Sequence, residues 1–178
     1  MAKSTRVISV VGKKNSGKTT LVVALAQEWS RKGLRVGTIK HGSHPATIDA
    51  EGTDTWKCIN EGHAVRALID GPGGRALFEQ ADGESDPLVI TRRFMSDLDI
   101  IITEGFTDST IPKIEVFREA EHAKPRYRTD LANASSWVAI VTDGKELDVP
   151  VPQFRFSDTG LLMALTAIAW NAALVLDP

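Results

Sequence analysis

The sequence predicts a three-layer α/β domain on a mostly parallel sheet, and three observations lead there. Short apolar runs of strand type alternate with segments of helical spacing. The first strand, helix and strand lie close enough in sequence to form a βαβ unit, which forces parallel pairing. Leu98–Thr103 and Trp137–Val141 are nearly continuous apolar runs, the pattern of strands buried on both faces.

Taken in order, Val7–Val11 is the first strand. Lys18–Lys32 is a helix with Leu21, Val22, Leu25, Ala26 and Trp29 on one face, and Gly33 stops it. Leu34–Ile39 is the second strand. The stretch from Lys40 to Thr53 is rich in His, Pro, Gly and Asp and reads as a functional loop. Asp54–Glu61 is a short helix ended by Gly62. Ala64–Ile69 and Arg75–Phe78 flank Asp70-Gly71-Pro72-Gly73-Gly74, a strong turn signal. Pro87–Met95 is a helix with Pro in its first turn. Ile114–Phe117 is strand-like, and Glu119–Asn133 is charged and unpatterned. Val149–Pro152, with two prolines, is a linker or edge, and Phe154–Phe156 a last short strand. Ser157 or Asp158 caps a final helix running to about Ala173, and Leu161–Leu176 as a whole reads as a buried helix, shorter than the roughly 20 residues a membrane span needs.

The chain has 178 residues, 42% hydrophobic and 25% charged, which suits one soluble domain. With 21 Lys+Arg against 23 Asp+Glu, its net charge of -2 speaks against a generic DNA-coating protein. The single cysteine, Cys58, excludes an internal disulfide framework and a Cys-rich zinc module. With no signal-peptide core at the N-terminus, the expectation is a cytoplasmic protein that meets neither nucleic acid nor membrane.

One motif carries the chemistry. Gly12-Lys13-Lys14-Asn15-Ser16-Gly17-Lys18-Thr19 matches G-x-x-x-x-G-K-[ST] completely and lies between a buried strand and a helix. The two glycines let the backbone curl around a phosphate, the loop N–H groups form an anion nest, and the helix N-terminus adds positive charge. Lys18 would reach the β- and γ-phosphates, Thr19 would ligate Mg²⁺, and Thr20 would add a hydroxyl to the α-phosphate. The sequence is thus expected to form a single P-loop NTPase domain over 1–178, with β or loop insertions near 62–80 and 106–133. Lys13 stands where ParA- and MinD-like loops carry a lysine that reaches across a dimer. Those loops continue with two glycines and this one with Lys14-Asn15, so a solvated or phosphate-steering lysine is the plainer reading.

An acid must complete the metal site. Glu104 follows the apolar strand and precedes Gly105, at the carboxyl end where ligands bind in open α/β sheets. It is expected to hold the metal or position water, and with Lys18 forms the expected catalytic pair. Asp99, at the other end of that strand, reads as a surface or capping acid. Lys40, His41, His44 and Asp49 follow the second strand. Lys40 and His41 are expected to contact an anionic ligand and Asp49 to act on Mg²⁺; His41-x-x-His44 alone is a weak transition-metal signal. Thr142 and Asp143 end the last buried strand, where an Asp can accept from guanine N1–H and N2–H₂. With no Asn-Lys-x-Asp in the chain, base choice stays open from the residues.

Several segments now stand in one order: the P-loop, Gly37-Thr38-Ile39-Lys40-His41, His44, Asp49, Gly52, Asp54-Thr55, Glu104-Gly105-Phe106, Pro112-Lys113-Ile114-Glu115-Val116-Phe117-Arg118 and Val141-Thr142-Asp143. From about Arg6 to Asp143 this resembles the molybdopterin-guanine dinucleotide biosynthesis adapter family, MobB. The resemblance implies a homodimer that binds GTP with Mg²⁺, hydrolyses it poorly, and assists the guanylyltransferase MobA in joining GMP to molybdopterin, with molybdopterin itself a second ligand. It places Lys40, His41, Asp49, Asp54 and Glu104 around the site, and gives Lys113 and Arg118 a role in anion binding or dimer building. Two departures fall between the second strand and the short helix: His44 is followed by Pro45-Ala46-Thr47, and Thr53 replaces a family lysine before Asp54. The alternatives are a small-molecule kinase, with Arg126 and Arg128 in a lid, and a nickel-delivering GTPase. No acceptor motif supports the first, and four unclustered His with one Cys do not support the second.

Overall fold

The structure is a computed structural model that describes residues 4–42, 49–81, 83 and 85–177. The elements are β1 (Thr5–Val11), α1 (Lys18–Arg31), β2 (Val36–Lys40), α2 (Asp54–Asn60), β3 (Arg66–Gly71), β4 (Gly74–Glu79), α3 (Pro87–Phe94), β5 (Ile100–Glu104), β6 (Lys113–Phe117), a 3₁₀ turn (Ala134–Ser136), β7 (Trp137–Thr142), β8 (Gln153–Arg155), α4 (Leu161–Ala172) and β9 (Leu174–Leu176). They divide into two compact units, one of residues up to 41 together with those from 87 onward, the other of residues 42–86.

The larger unit holds a mostly parallel sheet in the order β2-β5-β1-β6-β7-β8, flanked by helices. Alternate residues of β1 divide the core between its two faces. On one face Ile8 and Val10 pack with Leu21, Leu25 and Trp29 of α1 and with Leu165 and Ala169 of α4. On the other, Val7 packs with Ile39, Ile101 and Leu176 beside α3, and Val11 joins Phe117, Tyr127, Trp137 and Ile140. The strands at the centre are buried on both faces and are largely apolar for that reason, with Lys113 and Glu115 of β6 as buried exceptions.

The stretch 106–133, expected to hold an insertion, contributes β6, which sits between β1 and β7 in the main sheet. The C-terminus departs from expectation. The apolar run breaks after Ala172, and Leu174–Leu176 forms an antiparallel strand on Thr5–Val7 of β1. Antiparallel β9 and parallel β6 thereby share one edge of β1, β9 over its first half and β6 over its second. A run apolar throughout does not by itself distinguish a buried helix from a buried strand. Ser157 and Asp158 do not cap α4 either. Its N-cap is Gly160, with left-handed backbone, and the Asp158 carboxylate accepts the Arg155 N–H at 2.7 Å. Asp99 is buried, accepting the Arg35 N–H at 2.8 Å, so its capping role is internal.

In the smaller unit, Thr53 is the N-cap of α2 and accepts the Trp56 N–H at 3.2 Å. β3 and β4 form an antiparallel hairpin through the Gly71–Gly74 turn, inside the range where a β insertion is expected. Among the described residues no helix is long and apolar enough to cross a membrane.

Candidate nucleotide site

The P-loop joins β1 to α1, where the chain must reverse direction tightly. Gly12 has φ +148, and a Cβ there would lie 2.4 Å from the Val116 carbonyl oxygen and 2.7 Å from Ser16 Oγ. Only glycine lets the loop pass that close to β6. Ser16 Oγ is buried and has no hydrogen-bond partner among the described residues, a polar atom that a ligand inside the loop would satisfy. Lys18 Nζ donates to the Lys13 carbonyl at 2.7 Å and so spans the loop's mouth. Burial lowers the Lys18 pKa, Arg126 and Lys40 lower it further, and Glu104 opposes them. Three cationic side chains and one acid therefore share this region, a field suited to a polyanion with its metal.

Parallel pairing of β1 with β5 carries Glu104 to the level of the P-loop, opposite Val10. Its Oε2 accepts the Thr19 hydroxyl at 2.8 Å, and its Oε1 lies 3.9 Å from Lys40 Nζ. Thr19 and Glu104 are hard oxygen donors of the kind Mg²⁺ takes, so these residues fit the metal. The turn after Glu104 is tight: Gly105 has φ +103, a Cβ there would meet His41 Cβ at 3.0 Å, and the His41 ring lies 4.7 Å from that of Phe106.

Other predicted residues are placed as follows. Lys13 Nζ donates to the Lys124 carbonyl of the same chain at 2.7 Å, and His122 Nε2 donates to the Lys14 carbonyl at 2.6 Å. Asn15 holds a left-handed backbone, φ 62, and Thr20 is exposed on the first turn of α1. Thr142 is buried, its hydroxyl accepting the Gly144 N–H at 2.9 Å. Asp143 accepts the Glu119 N–H at 2.8 Å and pairs with Arg118 at 3.4 Å. Asp49 and Asp54 belong to the smaller unit. There Asp49 accepts the Thr53 hydroxyl at 2.8 Å, and hydrogen bonds from Thr55 and Thr53 hold its pKa low. His44 lies outside the described residues. Among those described, no group of three His, Cys, Asp or Glu is placed to hold a metal.

The segment Lys113–Arg118 does more than its sequence suggests. Lys113 and Glu115 are fully buried on β6. Lys113 Nζ donates to the carbonyls of Thr107, at 2.9 Å, and of Ser109, and lies 4.7 Å from the centre of the Trp137 ring. Burial lowers its pKa to about 8, against the opposing charge of Asp108. Lys113, for which the resemblance implies a role in anion binding or dimer building, here holds the loop that follows Glu104. Glu115 accepts the N–H groups of Arg126 at 2.5 Å and Tyr127 at 2.8 Å and the Trp137 indole at 3.0 Å. Desolvation nonetheless raises its pKa. Arg118 Nε donates to the Ser16 carbonyl at 3.2 Å. One strand thus fixes the loop beside Glu104, the 122–127 segment that contacts the P-loop, and the P-loop itself. Glu115 went unrecognised in the sequence, and the Lys-x-Glu alternation within an apolar strand was its only signal.

The profile of a family described as molybdopterin guanine dinucleotide synthesis protein B, MobB, matches residues 7–143. The chain belongs to this family. The molybdopterin-guanine dinucleotide biosynthesis adapter protein of Haemophilus influenzae is 30% identical over 119 residues, 66% of either chain. That of Escherichia coli is 32% identical over 112 residues, 62% of this chain and 64% of its own. The chain matches slightly less than two thirds of the length of these relatives. A crystal structure of molybdopterin-guanine biosynthesis protein B superposes with a TM-score of 0.69 at 26% identity, covering 93% of this chain and 98% of the other. Bacillus subtilis MobB superposes at 0.68 and 23% identity, covering 92% and 97%. The mostly parallel sheet flanked by helices in this MobB-family chain matches these MobB structures.

Proposed function

We propose that this chain is a GTP-binding adapter in molybdopterin-guanine dinucleotide biosynthesis, acting in the cytoplasm as a homodimer beside a MobA-type guanylyltransferase that attaches GMP to molybdopterin. The observation that carries the nucleotide reading is the Thr19–Glu104 contact at 2.8 Å, at the mouth of a complete P-loop. Family membership carries the pathway. The loop N–H groups, Lys18 and the α1 N-terminus bind the phosphates, and Thr19 and Glu104 hold Mg²⁺, which neutralises phosphate charge when bound.

Glu104 is engaged by Thr19 and faces Lys40, which suits an acid that holds a metal better than one that abstracts a proton from water. Hydrolysis by the protein alone is therefore slow, and turnover near about one per second without a partner contradicts the adapter reading. The test is steady-state release of phosphate from GTP, with and without the transferase. Release of ADP from ATP only when an acceptor is supplied would instead mark a kinase.

A further inference from the structure

A groove of about 560 Å³ opens beside the P-loop, lined by Gly17 and Thr20 at the N-terminus of α1, Arg118, Phe156, and Gly160 and Leu161 at the N-terminus of α4. Its walls are mostly apolar, and its size falls within the roughly 300–1,000 Å³ of small-molecule sites. The Arg118 guanidinium lies over the Phe156 ring, 4.2 Å from its centre, and is tied to the P-loop through the Ser16 carbonyl and to β7 through Asp143. Phe156 is 36% exposed, an unusual position for an aromatic ring next to a phosphate loop. Phe156, Gly160 and Leu161 all follow residue 143, where the family match ends.

We infer that this groove takes the purine base of the nucleotide bound at the P-loop, with the base lying against the stacked Arg118–Phe156 pair on one wall. The inference rests on the proposed nucleotide function. Sheet order gives the direction. Glu104 ends β5 on one side of β1, whereas Arg118, Asp143 and Phe156 follow β6, β7 and β8 on the other. A triphosphate whose metal-bearing end meets Thr19 and Glu104 must run along the P-loop toward Thr20, and its base then lies on the β6–β8 side. The groove begins at Gly17 and Thr20 on that side. An aromatic ring and a guanidinium both favour the face of a planar base, and neither needs the base to unstack from anything else.

The decisive experiment titrates wild type, Phe156→Ala and Phe156→Leu with GTP and with inorganic tripolyphosphate, each with Mg²⁺. Tripolyphosphate carries the phosphates without a base. The groove assignment predicts that Phe156→Ala weakens GTP about tenfold and leaves tripolyphosphate unchanged. Phe156→Leu, which keeps apolar bulk without an aromatic face, shows most of the same loss, and Phe156→Tyr, titrated alongside, keeps wild-type GTP affinity. GTP affinity unaltered in both the Ala and Leu variants overturns the assignment while leaving the P-loop reading intact. Equal loss of both probes in those variants also overturns it, since that marks a structural role for Phe156. A wild-type protein that binds neither probe overturns the nucleotide function itself, and the base site falls with it.

Discussion

The Thr19 hydroxyl donates to the Glu104 carboxylate across 2.8 Å, although the two residues are 85 positions apart in sequence. Parallel pairing of β1 with β5 makes the contact possible, because it brings the carboxyl ends of both strands to the same level. Thr19→Ala and Glu104→Gln should each lower the affinity for Mg²⁺-GTP by at least about tenfold. The same variants should match wild type when EDTA removes the metal. Titration calorimetry with and without EDTA checks this.

Lys18→Ala should abolish triphosphate binding and leave the fold intact. The ammonium is partly desolvated, and among the described residues its hydrogen-bond partner is the Lys13 carbonyl, so its loss removes little from the folded state. Calorimetry reads the binding and far-UV circular dichroism the fold. Full GTP affinity in this variant would sink the site assignment.

Glu115→Ala should destabilise the protein by about 3 kcal/mol, because it leaves three donors, two of them buried, without an acceptor. The 122–127 segment should loosen at the same time. Urea unfolding measures the first effect. Faster tryptic cleavage after Arg126 and Arg128, under conditions where the rest of the chain survives, measures the second.

Lys113 supplies a pH signature. Its folded pKa is lowered from 10.5 to about 8, so between those values the unfolded chain binds more protons than the folded one. Stability from this group therefore rises as pH climbs through that window and is lost again as pH falls through about 8. Lys113→Met should remove that rise. The check compares the pH dependence of the urea midpoint in the two proteins, and parallel profiles would contradict the assignment.

The P-loop was legible in the sequence because its requirements are local: glycines at fixed spacing, a lysine, and a strand and helix on either side. Glu104 was legible for a related reason, as the first acid after an apolar strand. The roles of Lys113 and Glu115 were not. Charged residues in a five-residue strand look exposed, and here they are buried because their partners come from carbonyls at 107 and 109 and N–H groups at 126 and 127. No local pattern announces such partners. β9 was missed on the same ground, since Leu174–Leu176 is a strand only because Thr5–Val7 offers it an edge. The α4 cap was misplaced because Asp158 found a nearer donor in Arg155.

The GTP-binding adapter function is read out by titration calorimetry of the purified protein with GTP and with ATP, each with Mg²⁺, repeated for GTP with molybdopterin-loaded transferase present. GTP should bind clearly more tightly than ATP, and its affinity should shift when the transferase is added. Preference for ATP, or no coupling to the transferase, would contradict that function.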